Sequence, residues 1–447
     1  MAKPTVGALT GFPEWLPHQR MVEQDLMDRI RRRYELHGYV PVETRSVEPL
    51  ETLVKKGATD KEIYVLRRLH AEDEADSSGL GLHFDLTIPF ARYVVQHKND
   101  LTFPFKRYQI QRVWRGERPQ DGRFREFYQA DADVIGLNNL PVWWDVEMTM
   151  LMREVLDDLP IPPVSIQVNN RKILEGFYRA LGITDLSATL RVMDKLDKLG
   201  PAKTLAELEL VTGLPTATAQ RCLDLASISG SDLAVLRRIE ALGYSDPLLQ
   251  EGLSEMELVL RETASLPAGR VVANLRIARG LDYYTGVVYE GVMVGHEQLG
   301  SVCSGGRYDN LASVGKDKLP GIGVSIGLSR ILGRLFGRGK LDMSRKSPTC
   351  VLVALATEEA RPEARAAAES LRARGIATEV FDRPLKWGKQ IEYADAKGIP
   401  YVWFPAGAER AEHEVRDLRT RSQGAVDLET WAPDEAVAHP VIVRNDD

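Results

Sequence analysis

Cysteine is scarce in this chain of 447 residues: Cys222, Cys303 and Cys350 are its three, and they lie far apart. So few thiols exclude a disulfide framework and a Cys-rich zinc site, and they point to the reducing cytoplasm. No apolar run reaches the roughly 18 residues of a membrane helix, so association with a membrane is not expected. The opening Met1-Ala-Lys-Pro-Thr-Val-Gly7 has neither the apolar stretch nor the cleavage site of a signal peptide. A strong charge of one sign is also missing, since the net charge is −6. That balance neither requires nor excludes RNA, because phosphates respond to local potential. What is present, 44% hydrophobic and 27% charged residues, is the composition of a soluble globular protein. The length exceeds one ordinary core, so two or three domains are expected.

Met21, Leu26, Ile30 and Tyr34 recur at helical spacing, which predicts an amphipathic helix from Pro17 to Leu36, closed by Gly38. Short β-rich pieces follow, among them Tyr39 to Thr44 and Phe105 to Trp114. Residues 165 to 265 carry helical spacing broken by Gly and Pro, and read as a helical insertion (about 168–265) between two β-rich halves of one domain, 1–337. Strands return at Val287 to Val294 and Gly321 to Ile326. Residues 338 to 348 are polar and punctuated by Gly and Pro, a linker. Beyond it, strand and helix alternate from Cys350 to Pro405, predicting a small parallel α/β domain over 349–447.

The chemistry-bearing text starts at Arg107-Tyr-Gln-Ile-Gln-Arg-Val-Trp-Arg115. Period-2 reading puts Gln109, Gln111 and Arg115 on one face. After a turn at Arg118-Pro-Gln-Asp-Gly-Arg123, the returning strand puts Arg125, Phe127, Gln129, Asp131 and Asp133 on one face. Phe124, Tyr128, Ala130, Ala132 and Val134 take the other face. A plain reading is a solvated hairpin, polar outside and apolar inside. The polar face is unusual for that, with amides, carboxylates, arginines and one aromatic rather than Lys, Glu and Thr. Arg115 and Arg123 suit phosphates, Phe127 suits a stacked base, and Gln129 and Asp133 suit an ammonium or an imidazole. Two Gly-bounded loops flank one strand: Arg276-Ile-Ala-Arg-Gly-Leu-Asp-Tyr-Tyr-Thr-Gly286 and Ser301-Val-Cys-Ser-Gly-Gly-Arg-Tyr-Asp309. Their tyrosines serve either as core wedges or as a ligand wall. Gly321-Ile-Gly-Val-Ser-Ile-Gly-Leu-Ser-Arg330 reads as a strand entering a helix, with Arg330 in the first turn. The helix dipole disfavours a cation there, which an anionic ligand or a salt bridge would offset. This text matches neither a P-loop nor a dinucleotide fingerprint.

Together these segments resemble the class II aminoacyl-tRNA synthetases, and within them the histidyl-tRNA synthetase family, over about residues 10 to 430. Trp114-Arg-Gly-Glu-Arg-Pro119 through Gln129 resembles motif 2, and Gly323 to Arg330 resembles motif 3. Arg279-Gly-Leu-Asp-Tyr-Tyr284, with Tyr308 close behind, carries the histidine-specific part. The resemblance implies an α+β fold: an antiparallel-sheet catalytic domain with a helical insertion, plus a C-terminal α/β anticodon-binding domain. It implies a ligase that activates L-histidine with ATP and Mg2+ and passes the histidyl group to tRNA(His). Arg115 and Arg279 would act at the α-phosphate. Glu117, Phe127 and Arg330 would hold the adenosine moiety, the adenine lying between Phe127 and Arg330. Asp85, Thr87 and Gln129 would take the histidine ammonium, while Asp133 and Tyr284 read the imidazole and Tyr308 lines the pocket. Gln120 and Arg123 would approach the acceptor end of the tRNA. No metal is expected to be held by the protein alone, and a homodimer is expected.

Two positions depart from the family pattern. Ser329 stands where motif 3 usually has Glu, and Arg45 stands where motif 1, in the dimer interface, usually has proline. The C-terminal domain is acidic, with 13 Lys and Arg against 18 Asp and Glu from Pro348 onward. Any anticodon contact must therefore be local, hydrogen-bonded or stacked. The competing reading is a non-catalytic, synthetase-like regulatory subunit of histidine biosynthesis. Such a chain would be expected to lose the α-phosphate arginines and the C-terminal domain. A synthetase for proline or threonine is set against the Arg279 to Tyr284 segment.

Overall fold

The computed structural model describes residues 7–54, 62–69, 79–278, 283–313, 315–407 and 410–445. The chain forms two compact units, Met1–Pro13 with Leu26–Arg334, and Glu14–Asp25 with Leu335–Asp447.

A mixed but mainly antiparallel sheet organises the first unit. Its strands are β1 (Val40–Pro41), β2 (Phe105–Trp114), β3 (Glu126–Ile135), β4 (Val164–Asn170), β5 (Ser229–Gly230), β6 (Val271–Asn274), β7 (Val287–Met293), β8 (Ser301–Tyr308) and β9 (Gly321–Gly327). Their order is β1-β2-β3-β9-β8-β7-β4-β6-β5, and only β1 with β2 and β4 with β6 run parallel. The expected hairpin is β2 and β3, with Gln111 opposite Gln129, Gln109 opposite Asp131 and Arg107 opposite Asp133. Its apolar face, Ala130, Ala132 and Val134, is fully buried. The helix Pro17–Leu36 is the one expected, and its Leu26, Ile30 and Tyr34 are sealed from solvent. Tyr34 Oη donates to the Ala130 carbonyl at 3.1 Å, so this helix meets the apolar face. Each such side chain contributes roughly 1.5–3 kcal/mol by leaving water.

Three expectations shift. The strand foreseen at Tyr39 to Thr44 is only the two residues of β1. The helices of the insertion begin at Arg171–Ala180, because the preceding seven residues form β4 inside the central sheet. The loop foreseen at Ser301 to Asp309 is instead the strand β8 as far as Tyr308.

The second unit holds a five-stranded sheet of Val351–Val353, Thr378–Val380, Tyr401–Phe404, Glu414–Asp417 and Gln423–Ala425. The first three are parallel, as the alternating pattern predicts. The last two add antiparallel at the edge; their short polar text gave no strand signal. Gln390 is fully buried, exchanging two hydrogen bonds with the backbone of Leu355 at 2.8 and 2.9 Å. Residues of the expected linker make contacts within this unit. Leu341–Met343 pairs with Ile442–Arg444, and the Arg345 guanidinium donates to the carbonyls of Ser347, Pro348 and Ala438.

Candidate functional site: a polar cavity on the central sheet

On its other face the β2–β3 hairpin carries polar side chains, and this face is not solvated. Gln129 is 8% exposed, Asp131 and Asp133 are 2% and Gln109 is 1%. Gln129, Asp131 and Asp133 line a cavity of about 990 Å³. Burying so many polar groups is costly unless each is partnered or awaits a ligand.

β9 forms the adjoining floor, pairing Gly323 with Asp133, Ser325 with Asp131 and Gly327 with Gln129. Its glycines are clearances. A Cβ on Gly323 would lie 1.9 Å from Asp133 Oδ1, and one on Gly321 would lie 2.3 Å from the Tyr308 ring. Side chains from β3 and β8 therefore lie flat across β9. Asp133 is held at both oxygens, at 2.6 Å by Tyr308 Oη on Oδ1 and at 2.7 Å by Arg107 on Oδ2. Gln129 Nε2 donates to Ser325 Oγ at 2.9 Å. Asp85 precedes the helix Thr87–Gln96 and accepts the amide of Ile88 at 3.1 Å. Burial pushes the Asp85 carboxyl up to about 6 and that of Asp131 up to about 7, and it raises Asp133 as well. Tyr284 and Tyr308 are both buried in the wall. Thr285, next to Tyr284, is tied to the end of β8, its hydroxyl donating to Asp309 at 2.6 Å.

At the rim, Arg115 is set by its Nε on the Phe84 carbonyl at 2.9 Å, with its guanidinium 5.2 Å from the centre of the Phe127 ring. Glu117 pairs with Arg123 at 3.3 Å and with Arg115 at 3.9 Å. Gln120 and Arg123 close a tight turn through mutual backbone hydrogen bonds, with Gly122 at φ 67°, a conformation that favours glycine. Arg330 occupies the first turn of the helix Leu328–Gly337 as expected. It donates to the Leu299 carbonyl, and its Nε has no hydrogen-bond partner among the described residues. Burial, with Arg123 nearby, lowers its guanidinium to about 10. The neighbouring Ser329 accepts the amide of Tyr128 at 2.9 Å, so this residue supports β3 rather than Arg330.

Asp85, Thr87, Arg115, Glu117, Gln120, Arg123, Phe127, Gln129, Asp133, Tyr284, Tyr308 and Arg330 all line this one cavity. Arg279 falls outside the described residues. Sequence reasoning gave no role to Asp131 or Ser325, which line it too, nor to Asp194, Asp197 and Lys198 of the insertion. Period 2 put Asp131 on the correct face; the insertion residues had no local signal. Among the described residues no cluster of three His, Cys, Asp or Glu side chains is arranged to hold a metal.

Comparison with known proteins finds relatives over nearly the whole chain. Residues 11–331 match the histidyl-tRNA synthetase family model, and 349–436 match an anticodon binding domain. The histidine–tRNA ligase of Thermobifida fusca is 51% identical, over 95% of this chain and 97% of that protein. That of Bifidobacterium longum subsp. infantis is 49% identical, over 97% and 98%. The crystal structure of histidyl-tRNA synthetase from Nostoc sp. PCC 7120 superposes with a TM-score of 0.83 at 36% identity, covering 95% of this chain and 97% of that one. A Bacillus halodurans chain described as an ATP phosphoribosyltransferase regulatory subunit/histidyl-tRNA synthetase shares the fold, with a TM-score of 0.74 at 22% identity. On the family match and the near-full-length likeness to curated ligases, the chain belongs to the histidyl-tRNA synthetase family.

Proposed function

We infer that the chain is a histidine–tRNA ligase, which activates L-histidine with ATP and passes the histidyl group to the 3′ end of tRNA(His). The observation that carries this reading is the convergence of phosphate-type arginines and a buried acidic floor on one cavity. In the first step a histidine carboxylate oxygen attacks the α-phosphorus, a P–O bond forms and pyrophosphate leaves. Charge spreads over the phosphoryl oxygens, which fixed guanidinium groups stabilise. Arg115 is assigned to the α-phosphate, because its side chain is already positioned by a carbonyl and an aromatic ring. Arg279 is assigned opposite it, on the resemblance. Glu117 contacts the adenine, which lies between Phe127 and Arg330. The unpartnered Nε of Arg330 supports an anionic neighbour.

Asp85, Thr87 and Gln129 bind the ammonium, and Asp133 and Tyr284 read the imidazole beside Tyr308. Bonding both ring nitrogens would give the selectivity, since an analogue lacking one leaves a buried group unpaired. In the second step a ribose hydroxyl of the tRNA attacks the acyl carbon and AMP leaves, with Gln120 and Arg123 near the acceptor end. Mg2+ enters with ATP, held by its phosphates. We assign catalysis to residues 1–337, with the insertion at about 168–265 and a linker at 338–348, and anticodon binding to 349–447. The working form is a cytoplasmic homodimer.

Histidine-dependent ATP–pyrophosphate exchange tests the reading. Exchange with histidine and not with proline or threonine is expected. Its absence with purified, folded chain would put the regulatory-subunit reading in its place.

A further inference from the structure

The floor of the cavity holds more acceptors than the assignments above use. Asp133 has partners on both oxygens. By contrast, Asp131 Oδ1 and Gln129 Oε1 are buried without a hydrogen-bond partner among the described residues. Gln129 spends its NH2 on Ser325, and the Ser325 hydroxyl also lies against Asp131. The two free acceptors sit on successive inward positions of β3, and Asp85 faces the same cavity. A buried, unsatisfied carboxylate costs stability, and nothing in the packing of the sheet requires one at this position. The opposite face of the strand provides the apolar contacts through Ala130 and Ala132.

We propose that Asp131 is a further substrate-binding residue, whose carboxylate completes a set of three acceptors with Asp85 and Gln129 around the ammonium of histidine. An ammonium has three N–H donors and no acceptor, so three acceptors around one point match it. The cation also offsets the mutual repulsion of Asp85 and Asp131. The Asp131 carboxyl agrees, because burial raises it even with Arg107 nearby, and a desolvated carboxylate gains from a cationic ligand. Asp133, already paired with Arg107, is left to the imidazole end.

The proposal rests on the ligase reading, so its test starts from native protein that performs histidine-dependent exchange. Asp131→Asn keeps the shape and removes the charge. Histidine and its des-amino analogue, imidazolepropionic acid, are then titrated against native and variant protein by calorimetry. The expected result is a loss of histidine affinity of about tenfold or more, as for a hydrogen bond to a charged group, with analogue affinity unchanged. The exchange KM for histidine rises in parallel while kcat falls less. Equal weakening of both ligands would assign Asp131 to the imidazole or to structure, and no weakening would remove it from the site; either result overturns the proposal. Retained analogue binding shows that the variant is folded. If Asp131→Asn yields no folded protein, Asp131→Ser is read by the same two titrations.

Discussion

Two buried arginine–aspartate pairs lie on opposite faces of the same sheet, and their guanidinium groups are satisfied to different degrees. Arg307, on β8, meets Asp145 of the helix Trp143–Asp157 at 2.7 and 3.0 Å and donates further to the carbonyls of Leu140 and Pro141. Arg107, on β2, meets Asp133 at 2.7 Å and the Leu86 carbonyl at 3.4 Å. Its Nε and Nη1 have no hydrogen-bond partner among the described residues. The first pair closes a seam between helix and sheet, where a loose donor only costs free energy. The second borders the cavity through Asp133, which a polar ligand would meet. Burial and charge are alike in the two pairs, and each keeps a buried atom without a partner among the described residues, Asp145 Oδ2 in the first. It is therefore the cavity beside Asp133 that marks the functional one.

Substitution can break that contrast. The largest effect is expected from Arg307→Met, which strands Asp145 and should cost about 3–5 kcal/mol of stability in urea unfolding. Exchange per folded molecule should hold; a loss below about 1 kcal/mol would make the pair incidental. Arg115→Ala should lower exchange by about 10²–10³-fold while leaving the unfolding midpoint nearly in place. The same collapse is expected for Arg279→Ala, and robust exchange by that variant would remove its assigned role. Tyr308→Phe takes one donor from Asp133 and should weaken histidine by about 0.5–1.5 kcal/mol, read as KM.

The subtlest effect is in the pH dependence of the ligand-free protein. Asp85 and Asp131 have folded values of about 6 and about 7, above 3.8. A raised carboxyl contributes stability below the unfolded value and loses it as pH rises through the folded one. Facing Asp131 are Asp85, Asp133 and Arg107, and Arg115 and Tyr308 border the same cavity. Asp131→Asn should therefore gain melting temperature relative to native as pH rises between about 4 and 7. A constant difference across that range would show that Asp131 does not titrate there.

The hairpin was legible because alternation survives in Gln109, Gln111, Gln129 and Asp133 and needs no partner to be read. Whether that face meets water depends on Asp85, Tyr284 and Tyr308, which come from distant text, and so the solvated reading stayed open. Asp131 was visible on the face, but resemblance supplied the roles and gave it none. β4 was read as the edge of the helical insertion because Val164 to Asn170 is short and only partly alternating. The strand Gln423–Ala425 is wholly exposed at an edge, where packing imposes no pattern.

The clearance over Gly321 and Gly323 has a consequence for when the site comes into being. Glycine gives a strand little reason to form, so β9 depends on the neighbours that hold it on both sides, β3 and β8. β3 leaves the ribosome before the whole insertion and β9 after it, and their pairing closes a very long loop. The hairpin that carries Arg115 and Asp133 must therefore wait, its polar face uncovered, until the last strand of the sheet arrives. Histidine binding should be absent from chains truncated before Gly321 and should appear in stalled nascent chains only once β9 has emerged.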